Sequence, residues 1–122
     1  SSIMPNVLND APLILFTPET PTRRAIDRFF RKHSVRPNIV MELDHIATIK
    51  HAVEVDIGLS VVPMTAVEKE LEVGTLKTVT FQEGSFVRPL GILYRRGRSL
   101  SVATQKLLDV LTLSEGKNDK GE

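Results

Sequence analysis

The stretch ELDHIATIKHAVEVDIGLSVVP, residues 42–63, decides the fold of this chain. It follows the apolar residues Ile39, Val40 and Met41, which we interpret as the end of a buried strand. Asp44 is predicted to cap a helix, because a short acceptor side chain at that position can satisfy a free backbone N–H group.

A helix and a second strand complete this unit. Ile46, Ile49 and Val53 recur at the spacing of one helical face. Gly58 follows the helix, and the β-rich run LSVV then ends at Pro63. A strand, a helix and a strand at this spacing predict a βαβ crossover, and therefore a parallel pair of strands.

The flanking sequence adds further elements to this unit. The apolar run LILF at 13–16 is typical of a strand buried on both faces. Thr20 followed by Pro21 predicts the start of a helix. Beyond Pro63 the sequence predicts, in order, a helix from Thr65 to Gly74, a strand at 76–81, a turn at 82–87, a strand at 90–94 and a last helix capped by Ser99 or Ser101. About five strands and four helices alternate, so the predicted class is α/β.

Composition fits one compact soluble domain. The chain has 122 residues, of which 41% are hydrophobic and 25% charged, and its formal net charge is +1. This charge is too small to indicate a nucleic-acid partner by itself. The absence of cysteine fits a reducing compartment, and neither a signal peptide nor a membrane-spanning run is found, so a cytoplasmic protein is expected.

An ordered set of residues resembles a known family. Glu42, Ile49, Val53, Gly58 and the tail LSVVP look like the second lobe of the effector-sensing domain of LysR-type transcriptional regulators. The match continues through Val67, the Glu70-Leu71 pair, Gly74 and Leu76, and ends with PLGILYRRGRSLSVATQKLLDVL. No single residue is diagnostic, but the ordered set covers roughly residues 12–113.

The resemblance implies a periplasmic-binding-protein type 2-like lobe with a mostly parallel sheet and flanking helices. It divides the chain into a linker or expression remnant at 1–11, the second lobe at 12–88, a return strand and helix of the first lobe at 89–113, and a disordered tail at 114–122. It implies a small-molecule effector in the cleft between lobes and a homodimer or tetramer of the full-length regulator. DNA would be bound only by a winged helix-turn-helix that is absent here, and no cofactor, metal or catalytic residue is expected.

One residue departs from the family pattern. The family usually has glycine where this chain has Asp56, two residues before Gly58. The resemblance implies a left-handed backbone at this position, which aspartate tolerates better than most residues. We therefore expect a small local cost.

The predicted effector site lies where strands end. In parallel α/β units, ligands collect outside the carboxyl ends of the strands. Three predicted helices begin near that edge, and their N–H groups favour an anion, whereas the Asp44 carboxylate favours a hydroxyl or amine. The candidate effector-binding residues are Thr17, Pro18, Asp44, His45, Pro63 and Met64.

The helix after Asp44 also carries a candidate dimer surface. The flank opposite its apolar face is small and weakly polar, where a solvated face would more often carry Lys and Glu. The resemblance adds the preceding strand to this surface. The candidate interface residues are Met41, Thr48, His51, Ala52 and Val55.

Other kinds of site have weaker support. None of His33, His45 and His51 has a second ligand at helical spacing, and Ser60 lacks a nucleophile-elbow pattern. Glu42 and Asp44 are explained as a strand end and a cap rather than as an acid–base pair. The basic residues Arg23, Arg24, Arg28, Arg31 and Lys32 of the first helix form either a solvated face or a phosphate-binding face. The alternative functions are a lobe of a transporter's solute-binding protein, an enzyme on the same fold, and a direct nucleic-acid binder.

Overall fold

The computed structural model describes residues 2–69, 74–81, 90–97 and 100–121. Its strands are β1 (Ser2–Ile3), β2 (Pro12–Phe16), β3 (Asn38–Leu43), β4 (Leu59–Pro63), β5 (Leu76–Phe81) and β6 (Leu90–Arg95). Its α-helices are α1 (Pro21–Lys32), α2 (Ile46–Glu54) and α3 (Val102–Gly121), with short 3-10 turns at Pro5–Leu8 and Met64–Val67.

A single sheet organises these elements in the order β1-β5-β6-β4-β2-β3. Strands β2, β3 and β4 pair in parallel, as the βαβ pattern predicts, and β1 pairs in parallel with β5. Among the described strands only β6 runs against the others, because it pairs antiparallel with both β4 and β5. The predicted α/β class with a mostly parallel sheet is confirmed.

Helices cover both faces of the sheet. Leu13 and Leu15 of β2 point into a core with Ile26 and Phe29 of α1. Ile14, between them, points into a second core under α2, where it meets Ile49. This alternation explains why β2 is a continuous apolar run, since both of its faces are buried.

The N-terminal segment is part of the fold rather than a linker. Ile3 lies in β1 beside β5, and its side chain is 3% exposed. Leu8 closes the Pro5–Leu8 turn and is fully buried in the core under α1. The prediction of a linker at 1–11 is therefore wrong, because two apolar anchors bury against the sheet.

The segment at 89–113 also differs from its predicted place in another lobe. β6 lies between β4 and β5 in this sheet, and its residues Leu90–Tyr94 are buried. Such an apolar strand satisfies the backbone of β4, whose own side chains are buried on both faces. Leu107 and Leu111 of α3 pack in the core on the α1 side. In this structure the segment therefore belongs to the same lobe as β2 and α1.

Two local predictions need correction, and two others lie outside the described residues. The helix expected from Thr65 begins instead as a 3-10 turn with Pro63 at its N-cap and no side-chain cap, while residues 70–73 lie outside the described residues. The backbone of α3 continues to Gly121 where a disordered tail was expected after Ser114, since each added helical residue closes a further hydrogen bond and no proline interrupts it. The turn predicted at 82–87 and Ser99 also lie outside the described residues.

Candidate functional site

The carboxyl ends of β2, β3 and β4 meet at one edge of the sheet because the three strands are parallel neighbours. Thr17 directly follows β2, and its backbone N–H donates to the carbonyl of Leu43, the last residue of β3, at 3.1 Å. Asp44 follows β3, and Pro63 ends β4. The strand ends that the sequence predicted to converge therefore lie side by side.

The backbone N–H and carbonyl of Thr17 are hydrogen-bonded, whereas its hydroxyl is not. Its carbonyl accepts a hydrogen bond from Thr20 Oγ1 at 2.9 Å and another from the Thr20 N–H group at 3.1 Å. Its Oγ1 atom is buried and has no hydrogen-bond partner among the described residues. A buried hydroxyl without a partner is unfavourable unless another molecule supplies one.

Helix α1 begins at this edge with the predicted cap. Thr20 is the N-cap, its Oγ1 accepts from the N–H group of Arg23 at 3.1 Å, and Pro21 is the first helical residue. The same hydroxyl thus holds both Thr17 and the first turn of α1. This prediction from sequence is confirmed.

Arg23 is the polar residue that sequence reasoning missed at this edge. Its side chain is 8% exposed, and its Nη1 donates to Glu42 Oε2 at 2.6 Å and to the carbonyl of Phe16 at 2.8 Å. Its Nε donates to Asp27 Oδ1 at 2.9 Å. Arg23 therefore belongs neither to a solvated face nor to a phosphate-binding face, because its guanidinium is already paired with carboxylates on α1 and β3. The i,i+4 spacing of Arg23 and Asp27 was the available signal.

The surroundings of Arg23 keep it charged. Burial by itself would lower the pKa of the guanidinium, but hydrogen bonds to Glu42 and Asp27, together with the attraction of both carboxylates, outweigh burial. The pKa of Arg23 is therefore raised above the ordinary arginine value.

The start of α2 differs from the prediction. His45, not Asp44, is the N-cap, and no side chain accepts a hydrogen bond from the first turn. The Thr48 hydroxyl instead donates to the carbonyl of His45 at 2.8 Å. Asp44 misses the cap because the helix begins at Ile46, one residue later than an Asp44 cap requires. The first N–H groups of α2 are thus left without a side-chain partner.

The other candidate effector residues occupy the rim of this edge. Asp44, His45 and Pro18 are exposed, while Pro63 is half-buried. Met64 is half-buried and lies over β6, where a Cβ atom placed on Gly91 would be 2.5 Å from the Met64 sulfur. Its side chain therefore packs against the sheet.

The candidate dimer residues differ in how exposed they are. Thr48, His51 and Val55 are exposed, and Met41 is half-buried against the α2 core. Ala52 is only 5% exposed and belongs to that core, so its assignment to the interface is wrong. The helical period places Ala52 about one turn beyond Ile49, on the face that packs against the sheet.

The described part of the chain has no candidate metal site, and its Ser60 hydroxyl is occupied. Its described residues contain no group of three His, Asp or Glu side chains that could hold a metal ion. Ser60 is fully buried, and its hydroxyl donates to the carbonyl of Ile14. Within the described ranges, no helix is long and apolar enough to cross a membrane.

Comparison with known proteins identifies the family. Residues 2–114 match the LysR substrate binding domain family. The chain belongs to this family. It is 32% identical over 99 residues to the uncharacterised HTH-type transcriptional regulator YeiE of Escherichia coli K12. This alignment covers 81% of this chain and 34% of YeiE. The chain is 27% identical over 119 residues to the RuBisCO operon transcriptional regulator of Acidithiobacillus ferrooxidans, covering 98% of this chain and 38% of that protein.

Solved LysR-type domains share the architecture. The CcmR regulatory domain of Synechocystis PCC6803, in complex with 2-PG, is 25% identical with a TM-score of 0.54, covering 93% of this chain and 55% of that one. The effector binding domain of QuiR in complex with shikimate is 22% identical with a TM-score of 0.63, covering 89% of this chain and 51% of that one. This LysR-type chain spans about a third of the length of its curated relatives. These relatives support an effector-sensing regulatory domain and not a lobe of a transporter protein.

Proposed function

We propose that a small-molecule effector binds at the edge formed by the ends of β2 and β3 and the start of α2. The observation that carries this proposal is the buried Thr17 hydroxyl, which has no partner among the described residues. The other candidate residues, Pro18, Asp44, His45, Pro63 and Met64, end β2, β3 or β4 or follow these strands closely in sequence.

The chemistry of the edge favours an anion that also carries a hydroxyl group. The uncapped N-terminus of α2 offers backbone N–H groups and the positive end of the helix dipole to an anion. The Thr17 hydroxyl can donate or accept, and the exposed Asp44 carboxylate accepts from a hydroxyl or amine but repels an anion. The CcmR regulatory domain was solved in complex with 2-PG.

The effector acts in a longer regulator in this proposal. When the regulator's other lobe closes over the Thr17 edge, the relative population of open and closed forms changes. A dimer transmits this change to the DNA-binding domains. The regulator works on cytoplasmic DNA, and this domain contributes sensing rather than catalysis.

The experiment measures the effector response of the intact regulator. Thr17→Val removes the hydroxyl but retains the side-chain shape, and Thr78→Val is the matched control, because Thr78 is half-buried on β5, which β6 and β4 separate from β2. With 2-phosphoglycolate as the first probe in a panel of phosphorylated and carboxylated metabolites, Thr17→Val should raise the half-maximal concentration about tenfold, the value of one hydrogen bond. Unchanged dose–response curves for both Thr17→Val and Asp44→Ala would remove the site from this edge.

A further inference from the structure

We infer that Arg23 is the positioning residue of this edge: its guanidinium fixes the ends of β2 and β3 so that the Thr17 hydroxyl faces the ligand. The inference rests on the proposed function, since it assigns a role within that site. Arg23 does not contact the ligand in this assignment; it acts through Thr17.

The contacts of Arg23 join three elements. Nη1 holds the carbonyl of Phe16, the residue directly before Thr17, at 2.8 Å. The same nitrogen holds Glu42 on β3 at 2.6 Å, and Nε holds Asp27 on α1 at 2.9 Å. The end of β2 is thereby fastened to β3 on one side and to α1 on the other.

Hydrogen bonds then continue from Arg23 to Thr17 through the backbone. The Arg23 N–H group donates to Thr20 Oγ1, which in turn donates to the Thr17 carbonyl. Thr17 N–H donates to Leu43, the residue that follows Glu42. The Arg23 side chain thus holds Phe16 and Glu42, the neighbours in sequence of Thr17 and of its partner Leu43, while the Arg23 backbone reaches Thr17 through Thr20. The hydroxyl is the part of Thr17 left for a ligand.

Charge separates positioning from ligand binding. Arg23 is 8% exposed on its side chain, and its two ion-pair partners carry opposite charge. An arginine already paired with two carboxylates is a poor receptor for a further anion, so the negative group of the effector is met elsewhere on the edge. Its forked geometry, with donors on separate nitrogens, is what a lysine ammonium cannot reproduce.

A ligand-free measurement tests the inference first. In the 122-residue chain with isotope-labelled threonine methyl groups, NMR reports the order and chemical shift of the Thr17 methyl. Arg23→Lys should perturb this methyl and lower its order, whereas Arg28→Lys, an exposed arginine on the same helix, should leave it unchanged. Glu42→Gln, which keeps the guanidinium and weakens one tie, should give a smaller change in the same direction and serves if Arg23 variants fail to fold.

A double-mutant cycle in the intact regulator tests the coupling to binding. With 2-phosphoglycolate as probe, Arg23→Lys should weaken binding about tenfold, and adding it to Thr17→Val should weaken binding little further, because both remove the same contact. Lowered thermal stability with an unperturbed Thr17 methyl, or fully additive losses of affinity, would overturn the positioning role. Unchanged binding by Thr17→Val, together with a Thr17 methyl that responds to Arg23→Lys, would instead contradict the proposed effector site.

Discussion

At the residue scale, Asp56 shows how one departure from the family pattern is used. Its φ is 61°, so the left-handed backbone implied by the family's glycine is confirmed. Its carboxylate also accepts hydrogen bonds from the Ser101 N–H group at 2.5 Å, from Ser101 Oγ at 3.1 Å and from Thr104 Oγ1 at 2.7 Å. Ser101 caps α3, because its Oγ accepts from the Thr104 N–H group at 3.3 Å, and Asp56 holds this capping residue from the turn after α2.

Substitution of Asp56 should separate the backbone effect from the cap. Asp56→Gly removes the carboxylate but relieves the left-handed backbone, so the free energy of unfolding should fall by about 1 kcal/mol. Asp56→Ala loses the hydrogen bonds to Ser101 and Thr104 and keeps the strain, so the fall should be about 2 kcal/mol, measured by urea denaturation.

Asp44→Ala is the control for this pair, because Asp44 is exposed and does not cap α2. Its effect on the free energy of unfolding should stay within about 0.5 kcal/mol. Equal stability of Asp56→Ala and wild type would show that the contacts to Ser101 and Thr104 contribute nothing.

The same scale shows which site residues sequence reasoning can reach. Thr17 and Asp44 were predicted because strand ends can be read from apolar runs and their boundaries. The Arg23–Glu42 ion pair could not be predicted, because it joins residues 19 apart in sequence that only the packing of α1 against the sheet brings together. The cap of α2 was misplaced by one residue because Asp44 and His45 both precede the helix, and propensity alone favours the aspartate.

At the element scale, the connection between α2 and β4 depends on a close backbone approach. A Cβ atom placed on Gly58 would lie 2.7 Å from the carbonyl oxygen of Pro12, at the start of β2. The sequence marks Gly58 as a residue that follows a helix, but the structure shows that it is needed for space between neighbouring strands. The left-handed residue of this turn is Asp56 instead.

Gly58→Ala should therefore destabilise the fold. The added methyl group meets backbone that cannot rotate away, so β2 and β4 must separate, and the free energy of unfolding should fall by about 1–3 kcal/mol. Gly91→Ala is the comparison, because the nearest atom there is the flexible Met64 sulfur. Chemical denaturation should show the larger loss for Gly58→Ala, and the reverse order would refute the close-approach explanation.

Strand β6 marks the limit of prediction at this scale. The apolar run at 90–94 predicts a strand, and the structure confirms it as Leu90–Arg95. Its neighbours could not be predicted from sequence, because a strand buried on both faces fits any interior position of a sheet. Pairing of Ser60 with Leu93 and of Val79 with Ile92 places it between β4 and β5.

At the scale of the whole molecule, the βαβ unit at 42–63 indicated the class, whereas the family resemblance needed the ordered set of residues over roughly 12–113. A parallel pair with a crossover helix restricts the chain to α/β folds, and helices then cover both faces of the sheet. Surfaces are less predictable, because the outward and core faces of a small-residue helix such as α2 differ little in sequence. Ala52 was assigned to the outward flank for this reason and lies in the core.

The exposed apolar surface of α2 and β3 is where we place the dimer contact of the intact regulator. β3 is an edge strand, and its Ile39 and Val40 are 37% and 46% exposed. Val55, at the end of α2, is 54% exposed, and Thr48 and His51 on the same helix are exposed as well. An edge strand and a helix with exposed β-branched residues are a liability in a monomer and fit a partner surface.

Val55→Glu should therefore dissociate the intact regulator without unfolding it. A carboxylate buried at the contact without a cation is strongly unfavourable, so sedimentation should show smaller species and the effector-dependent transcription should fall. Met4→Glu is the control, because Met4 is 47% exposed and follows β1, at the opposite edge of the sheet from β3, so its substitution should leave assembly unchanged. Ala52→Glu should instead lower the thermal stability, since its side chain packs in the core under α2. An assembly of unchanged size in both Val55→Glu and Val40→Glu would show that this surface is not the dimer contact.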